Sequence, residues 1–251
     1  MSSKPDQLFP YIASASFCAF FLVERAVLPR LYGTCSPTYR QMSAANRVRV
    51  CNSTTSFLHA LIISTWVMYT FAMDENLKPE NIRYESYYVH VETAFTVGYA
   101  LSDTVSMIQQ QYHPLVLHHV LLIIVGVTNT FIWPFCEYFG HLMVFWEVSN
   151  IFMNLRNILK YLGYDQSSSV CVANAVTFAL TFFLCRIAPM PLFWYQVLFV
   201  CFPKPDSWRP EFFVGRTTYC CVIVLHAMCL VWFLHILQSV KEFLFKKSHV
   251  K

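Results

Sequence analysis

The sequence predicts an all-α membrane protein, a polytopic bundle of about seven transmembrane helices, and three observations lead to this prediction. Hydrophobic residues make up 56% of the 251 residues, and the mean hydropathy is positive at +0.45. Charged residues make up only 13% of the chain, whereas soluble domains usually carry about 25%. The apolar residues also fall into seven runs, each close to the roughly 20 residues that a membrane helix needs.

The seven apolar runs are separated by prolines, charged residues and short polar segments. They cover residues 8–31, 53–73, 87–110, 115–136, 139–160, 170–195 and 212–240. The first run ends in Glu24, Arg25 and Pro29, which is typical of a helix end at a membrane interface. Pro189 and Pro191 interrupt the sixth run, where we expect a kink because proline lacks a backbone donor.

The basic residues indicate an orientation, because cytosolic loops carry more Lys and Arg than lumenal loops. The richer side holds Arg30, Arg40, Arg47, Arg49, Lys160, Lys241, Lys246, Lys247 and Lys251. This bias predicts a lumenal N-terminus and a cytosolic C-terminus. The first ten residues do not read as a signal peptide, so we expect the first run to stay in the mature protein. Lys247 and His249 resemble a basic retrieval signal, which favours the endoplasmic reticulum.

Composition also argues against several other classes of protein and site. The formal charge of +4 is spread without a basic block, so we expect no nucleic-acid partner. The ten cysteines are scattered without a CxxC motif, which favours small buried hydrophobic side chains over disulfides. Asn52-Ser53-Thr54 is a glycosylation sequon, but the predicted orientation places it on the cytosolic side. We therefore expect it to be unused.

Polar and ionisable side chains concentrate in the third, fourth and fifth runs. Such groups are costly in lipid, so by default they mark a functional interior. They are Asp103, His118, His119, His141, Glu147, Asn150, Asn154 and Arg156. Glu147, Asn150 and Asn154 share one helical face, and Arg156 lies on an adjacent face near the helix end. His118 and His119 point about 100° apart on a helix, so one can face a cavity while the other holds a neighbouring helix.

Four interpretations of these polar residues remain open. In the first, a histidine acts on an acyl group as nucleophile or general base, activated by Asp103 or Glu147. In the second, His113, His118 and His119 resemble one box of a membrane di-iron desaturase, but no second box exists and we expect no metal. In the third, the polar groups line a pocket for a lipid head group. In the fourth, they only hydrogen-bond between helices.

Short motifs keep a fixed order along most of the chain. They are Asn46-Arg47-Val48, Gly98-Tyr99 with Ser102-Asp103, Leu117-His118-His119, Glu147-Val148-Ser149 with Asn154 and Arg156, Arg186-Ile187, and Trp232. In this order and spacing they resemble the TLC-domain family, which includes ceramide synthases and translocation-associated membrane proteins. The pattern is most similar to the small TLC domain-containing proteins four and five. The resemblance implies a TLC domain over 46–240, between an N-terminal helix and cytosolic loop (1–45) and a basic cytosolic tail (241–251).

The resemblance also implies a structure and a role. We expect six helices in a barrel around a lipid-accessible cavity, with the first helix packed outside, in an endomembrane protein of lipid homeostasis. We expect no cofactor. A membrane lipid would bind in the cavity and contact Asp103, Glu147, Asn150, Asn154, Arg156 and Arg186.

Two alternatives follow from other branches of the family. One is a ceramide-synthase-like N-acyltransferase, with acyl-CoA as co-substrate and His118 or His119 as base or transient acyl carrier. Ceramide synthases follow their His pair with a His-Asp-x-x-Asp segment, whereas this chain has Trp146-Glu147-Val148-Ser149-Asn150. The preceding histidine and the second acid are therefore absent. The other alternative is a cargo receptor or insertion accessory.

Overall fold

The computed structural model describes residues 5–132, 137–210 and 213–248, and these residues are almost entirely helical. The helices are α1 (Pro5–Leu22), α2 (Leu28–Cys35), α3 (Pro37–Gln41), α4 (Ala44–Met73), α5 (Tyr87–Gln109), α6 (His113–Val127), α7 (Glu137–Val144), α8 (Glu147–Tyr161), α9 (Ser169–Phe182), α10 (Met190–Tyr195), α11 (Phe213–Thr217) and α12 (Tyr219–Ser248). Wider π-helical turns extend or join several of them, at Val23–Val27, Thr128–Ile132, Phe183–Ile187 and Gln196–Cys201. The described residues contain no strand, which agrees with the predicted all-α class.

Among the described residues, four helical rods are long and apolar enough to cross a membrane. They are Gln7–Cys35, Ala44–Met73, Ser169–Cys201 and Tyr219–Glu242. The rods formed by α5, by α6 and by α7 with α8 are shorter or more polar, and their ionisable residues are mostly buried. The predicted polytopic membrane bundle is thus confirmed. Residues 133–136 of the fourth predicted run, residue 212 and residues 249–251 of the basic tail lie outside the described residues.

Six rods form a closed ring. Around it, α4 packs on α8, α8 on α9, α9 on α12, α12 on α6, α6 on α5, and α5 on α4. Helix α1 packs on α5 outside the ring. Buried apolar side chains such as Val125, Phe139, Phe193 and Leu225 fill the part of the ring near α7, α10 and α12. The polar interior is therefore confined mainly to the part between α4, α5, α6 and α8.

The first rod runs through Glu24, Arg25 and Pro29, which we predicted to mark its end at about residue 31, and continues to Cys35. The chain passes through the π-helical turn Val23–Val27 into α2, and the backbone N–H of Leu28 bonds to the carbonyl of Val23. Pro29 lies in the first turn of α2, where a missing N–H is tolerated. Glu24 points into the bundle from this turn and is only 3% exposed.

The predicted kink in the sixth run is present. The π-helical turn after α9 ends at Ile187, and α10 begins at Met190, so the break coincides with Pro189. The rod then continues to Cys201, beyond the predicted end at residue 195. A second break, at Thr218, separates α11 from α12 in the last run.

Helix α1 is held against α5 by close backbone packing. Ser16 Oγ donates a hydrogen bond to the carbonyl of Phe95 at 2.7 Å. A Cβ atom at Gly98 would lie 2.7 Å from Ser16 Cβ and 2.9 Å from Phe17 N. Small residues at membrane helix interfaces allow this kind of approach. Gly98 is therefore required by the space between the two helices.

We predict that Gly98→Val destabilises the protein by about 1–3 kcal/mol, because the added side chain forces α1 away from α5. Thermal unfolding of the purified protein in detergent measures the effect. Gly33→Val is the matched control, since a Cβ there meets no atom within 4 Å. Equal unfolding temperatures for the two variants would contradict the proposed close packing.

Candidate functional site in the helical barrel

The ring encloses a cavity of about 80 Å³ that is lined by both polar and apolar side chains. The ionisable side chains of the lining are His59, His118, His119, Glu137, Glu147 and Arg186. The apolar ones include Val97, Ala100, Leu122, Ile123 and Met143, and two glycines, Gly126 and Gly140, also line the cavity. The residues come from α4, α5, α6, α7, the start of α8 and the π-helical turn after α9. The cavity therefore joins elements that are far apart in the chain.

Arg186 is held in the cavity wall by neutral acceptors. Its Nε donates to Ser149 Oγ at 2.9 Å, and its Nη2 donates to Asn150 Oδ1 at 2.8 Å and to the carbonyl of Trp146 at 3.2 Å. The guanidinium also lies over the rings of Trp146 and Phe182, 5.6 and 5.0 Å from their centroids. These contacts fix the orientation of a cation that is only 3% exposed.

The carbonyl of Trp146, which accepts from Arg186, lies at a break in the helix. We predicted one span over residues 139–160, but the chain makes a turn at Phe145 and Trp146 between α7 and α8. In this turn Ser149 Oγ also donates to the carbonyl of Trp146, at 2.8 Å. The same carbonyl accepts from the backbone N–H of Ser149 at 3.2 Å, so it serves both the turn and Arg186.

Glu147 is linked to Arg186 through one amide. Asn150 Nδ2 donates to Glu147 Oε1 at 2.9 Å, while Asn150 Oδ1 accepts from Arg186. The other carboxylate oxygen of Glu147 lies 3.6 Å from His59 Nδ1. The His59 ring stacks on Tyr99, with the ring centroids 3.6 Å apart. The carboxylate of Glu147 is therefore stabilised from two sides, by Arg186 through Asn150 and by His59.

The two adjacent histidines have different surroundings. His119 Nε2 lies 3.4 Å from Asp103 Oδ2, and His119 Nδ1 lies 3.5 Å from Thr104 Oγ1. His118 is buried, its ring packs edge-on against Trp232, and its Nδ1 has no hydrogen-bond partner. His119 thus ties α6 to α5, whereas His118 packs against the ring of Trp232. Both side chains line the cavity.

Asp103 lies behind His119 rather than in the cavity wall. Its Oδ1 accepts from Asn52 Nδ2 at 2.5 Å, and the same nitrogen lies 3.3 Å from Glu24 Oε2. Ser106 Oγ donates to Glu24 Oε1 at 2.5 Å. Three helical rods, those of α1, α4 and α5, therefore meet at two carboxylates and one amide.

Two further carboxylate–histidine pairs join α5 to α7. His90 Nε2 lies 2.8 Å from Glu137 Oε1, and the backbone N–H of Ser86 donates to Glu137 Oε2 at 2.8 Å. His141 Nδ1 lies 2.9 Å from Glu92 Oε1, in a pair that is fully buried and does not line the cavity. Buried pairs of this kind hold helices together and are costly to break from one side.

The structure places the predicted site residues in three settings. His118, His119, Glu147 and Arg186 line the cavity. Asp103, Asn150 and Asn154 lie behind the wall, where Asn154 Nδ2 donates to the carbonyl of Asn150 at 2.9 Å. Arg156 is exposed near the end of α8 and does not reach the cavity.

Sequence reasoning missed His59, Glu24 and Asn52 as members of the polar interior. His59 lies inside the predicted run 53–73, Asn52 directly precedes that run, and Glu24 lies towards the end of the first run. Their partners are distant in the chain: Asn52 and Asp103 are 51 residues apart. A lone ionisable or amide residue inside an apolar run is the signal that could have identified His59.

We predict that the sequon at Asn52 carries no glycan, because the amide is buried between Glu24 and Asp103 and is only 4% exposed. Endoglycosidase treatment of the protein expressed in eukaryotic cells should leave its gel mobility unchanged. Asn52→Gln should also migrate like the wild type. A mobility shift in the wild type that Asn52→Gln abolishes would refute this prediction.

We predict that Arg186→Met lowers the free energy of unfolding by about 2–3 kcal/mol, because the buried acceptors on Ser149 and Asn150 lose a charged donor. Thermal unfolding in detergent measures the loss. Arg156→Met is the matched control, since it removes the same charge from an exposed position. A similar loss in both variants would show that the contacts of Arg186 contribute nothing specific.

Comparison with known proteins agrees with the motifs. The TLC domain profile matches residues 49–238, which include the residues of the cavity wall. TLC domain-containing protein 4-A of Xenopus laevis is 30% identical over 201 residues, 76% of each chain. TLC domain-containing protein 4 of Homo sapiens is 23% identical over 237 residues, 90% of this chain and 86% of that protein. Because the profile covers well over half of the sequence, this membrane protein belongs to the TLC-domain family.

Proposed function

We propose that this protein binds or senses a membrane lipid in the barrel cavity and acts in lipid homeostasis in the endoplasmic reticulum. The N-terminus would be lumenal and the C-terminus cytosolic, as the distribution of basic residues predicts. The observation that carries the proposal is a cavity lined by both ionisable and apolar side chains inside a membrane bundle. Such a lining offers contacts to both of the chemically different parts of a lipid.

The ionisable side chains of the cavity are suited to a head group because two of them, Arg186 and Glu147, are already held in place. Arg186, Asn150 and Glu147 form a hydrogen-bonded chain, so a ligand would not have to order them. A volume of about 80 Å³ accommodates only a few water-sized groups. The acyl chains would therefore extend between helices rather than fit inside the ring.

A second candidate function is N-acyl transfer from acyl-CoA to a long-chain amine of the sphingolipid type. The observation that favours it is the pair of His119 and Asp103, 3.4 Å apart beside the cavity. In that arrangement the carboxylate orients the ring, and either His119 or His118 would take the proton of the amine. Residues 146–150 differ from the corresponding segment of ceramide synthases. In this chain they form hydrogen bonds with Arg186 and, through Asn150, with Glu147. This is the reason that lipid binding is the preferred function.

We expect a lipid to co-purify with the wild-type protein and to be lost from Gly140→Leu, because that leucine would occupy the cavity. Native mass spectrometry with lipid analysis measures the bound lipid. Gly33→Leu is the matched control, since Gly33 also has no atom within 4 Å of its added Cβ but lies in α2. Absence of lipid from the wild type, or equal lipid in Gly140→Leu, would contradict binding in the cavity.

The same preparations distinguish binding from catalysis. After incubation with acyl-CoA and a sphingoid base, an acyltransferase forms an N-acyl product that His118→Ala or His119→Ala abolishes. A binding protein retains its lipid and forms no product. Product formation by the wild type would thus replace the preferred function by the second one.

A further inference from the structure

The loop between α4 and α5 encloses a surface concavity that is separate from the barrel cavity. Its volume is about 340 Å³, near the lower limit of the roughly 300–1,000 Å³ that is usual for ligand pockets. The lining residues are Met73, Asp74, Glu75, Asn76, Tyr84, Tyr87 and Tyr88. None of them lines the barrel cavity. The concavity is therefore a second candidate for a binding site.

Hydrogen bonds to Asp74 hold the loop around this concavity. The backbone N–H of Asp74 bonds to the carbonyl of Thr70 at 2.9 Å, at the end of α4. Asp74 Oδ1 accepts from the hydroxyl of Tyr84 at 2.8 Å and from the backbone N–H of Asn76 at 3.3 Å. Asp74 Oδ2 accepts from the hydroxyl of Ser86, the N-cap of α5. One carboxylate thus joins both ends of the loop.

Contacts with the rest of the protein also anchor the loop. Leu77 and Ile82 are each only 6% exposed, and Ile82 belongs to the main apolar core. Lys204 donates to the carbonyl of Glu80. The concavity is therefore formed before any ligand binds, and a preformed site loses less conformational freedom on binding.

The lining of the concavity carries negative charge and, among the described residues, no positive charge. Asp74 is buried, whereas Glu75 beside it is exposed. Lys78 and Arg83 belong to the same loop, but neither lines the concavity. An anionic ligand would meet two carboxylates here. The lining therefore favours a cation.

Three tyrosine rings line the concavity beside the carboxylates. The rings of Tyr87 and Tyr88 meet edge to face with their centroids 6.2 Å apart, and Tyr88 makes a second such contact with Tyr69 at 5.8 Å. Partial burial and the hydrogen bond to Asp74 raise the pKa of Tyr84 to about 12, so its ring stays uncharged at neutral pH. Aromatic rings attract cations, and groups of them recognise quaternary ammonium ligands.

The existing hydrogen bonds indicate which kind of cation fits. A carboxylate has about four lone-pair sites, and Asp74 already uses three of them. A primary ammonium needs acceptors for its N–H groups, whereas a quaternary ammonium needs only charge and apolar surface. Met73 and the tyrosine rings provide that surface. The described residues also contain no group of three or more His, Cys, Asp or Glu side chains that could hold a metal ion.

We propose that this concavity binds a quaternary ammonium group, carried either by the choline head group of a membrane lipid or by free choline. The concavity lies where α4 ends and α5 begins, and tyrosines at helix ends are typical of the membrane interface. A head group and a dissolved ligand can both reach that depth. This binding goes beyond the proposed function and does not depend on a lipid in the barrel cavity.

The test is saturation-transfer NMR on the purified full-length protein in dodecyl maltoside, with choline chloride as the probe. We expect saturation transfer to the N-methyl protons that protein-free micelles do not show. Excess tetramethylammonium chloride should displace the probe, whereas an equal concentration of methylammonium chloride should not. Tyr87→Leu should weaken choline binding about two- to fivefold, as expected for the loss of one exposed cation–π contact. Tyr87→Phe keeps the ring and should bind like the wild type.

Tyr164→Leu is the matched control, because Tyr164 is 57% exposed, against 56% for Tyr87, and lies outside the concavity. Its choline binding should equal that of the wild type, and size-exclusion chromatography verifies that each variant is folded. Absence of saturation transfer in the wild type overturns the proposal. Equal binding by Tyr87→Leu and Tyr164→Leu overturns it, and so does equal displacement by methylammonium and tetramethylammonium.

Reconstitution in nanodiscs distinguishes the two sources of the quaternary ammonium group. After subtraction of protein-free nanodiscs, choline should bind in phosphatidylglycerol. A lipid head group that fills the concavity excludes choline in phosphatidylcholine nanodiscs, whereas equal binding in both lipids identifies free choline as the ligand. Gly140→Leu, which fills the barrel cavity, should bind choline like the wild type. The two proposals can therefore fail independently.

Discussion

The interior depends on the pairing of its carboxylates with groups from different helical rods. An isolated charge in a low-dielectric bundle is very costly, and a partner with good hydrogen bonds reduces that cost. Glu92, Asp103, Glu137 and Glu147 each pair with a histidine on another rod. Glu24 instead binds Asn52 and Ser106. Because each pair joins two rods, the charges also specify which helices are neighbours.

This pairing explains how helices that carry several ionisable residues can lie within a membrane protein. Helices α5 and α8 carry polar stripes that lipid would not accommodate, but the ring turns these stripes inwards. The apolar rods provide the outer surface, which includes exposed residues such as Leu180, Leu184 and Leu234. The arrangement of the helices, and not their composition alone, therefore keeps the polar side chains away from lipid.

Much of the fold follows from hydropathy and helical periodicity. The apolar runs identify the rods, and the i, i+3, i+7 spacing correctly places Glu147, Asn150 and Asn154 on one face. Cross-bundle partners could not be predicted in this way, because periodicity relates residues only within a helix. His59 and Glu147 therefore seemed unrelated. The π-helical turn at Val23–Val27 and the break at Phe145–Trp146 depart from the regular repeat, so both were missed.

Helix α1 lies outside the ring, yet its Glu24 completes the cluster around Asn52 and Asp103. The match to the TLC domain begins at residue 49, after this helix has ended. The segment that sequence similarity delimits is therefore not the whole structural unit of this chain. A fragment limited to that segment would lack the carboxylate that shares the amide of Asn52, and the face of α5 at Gly98 would lose its covering helix.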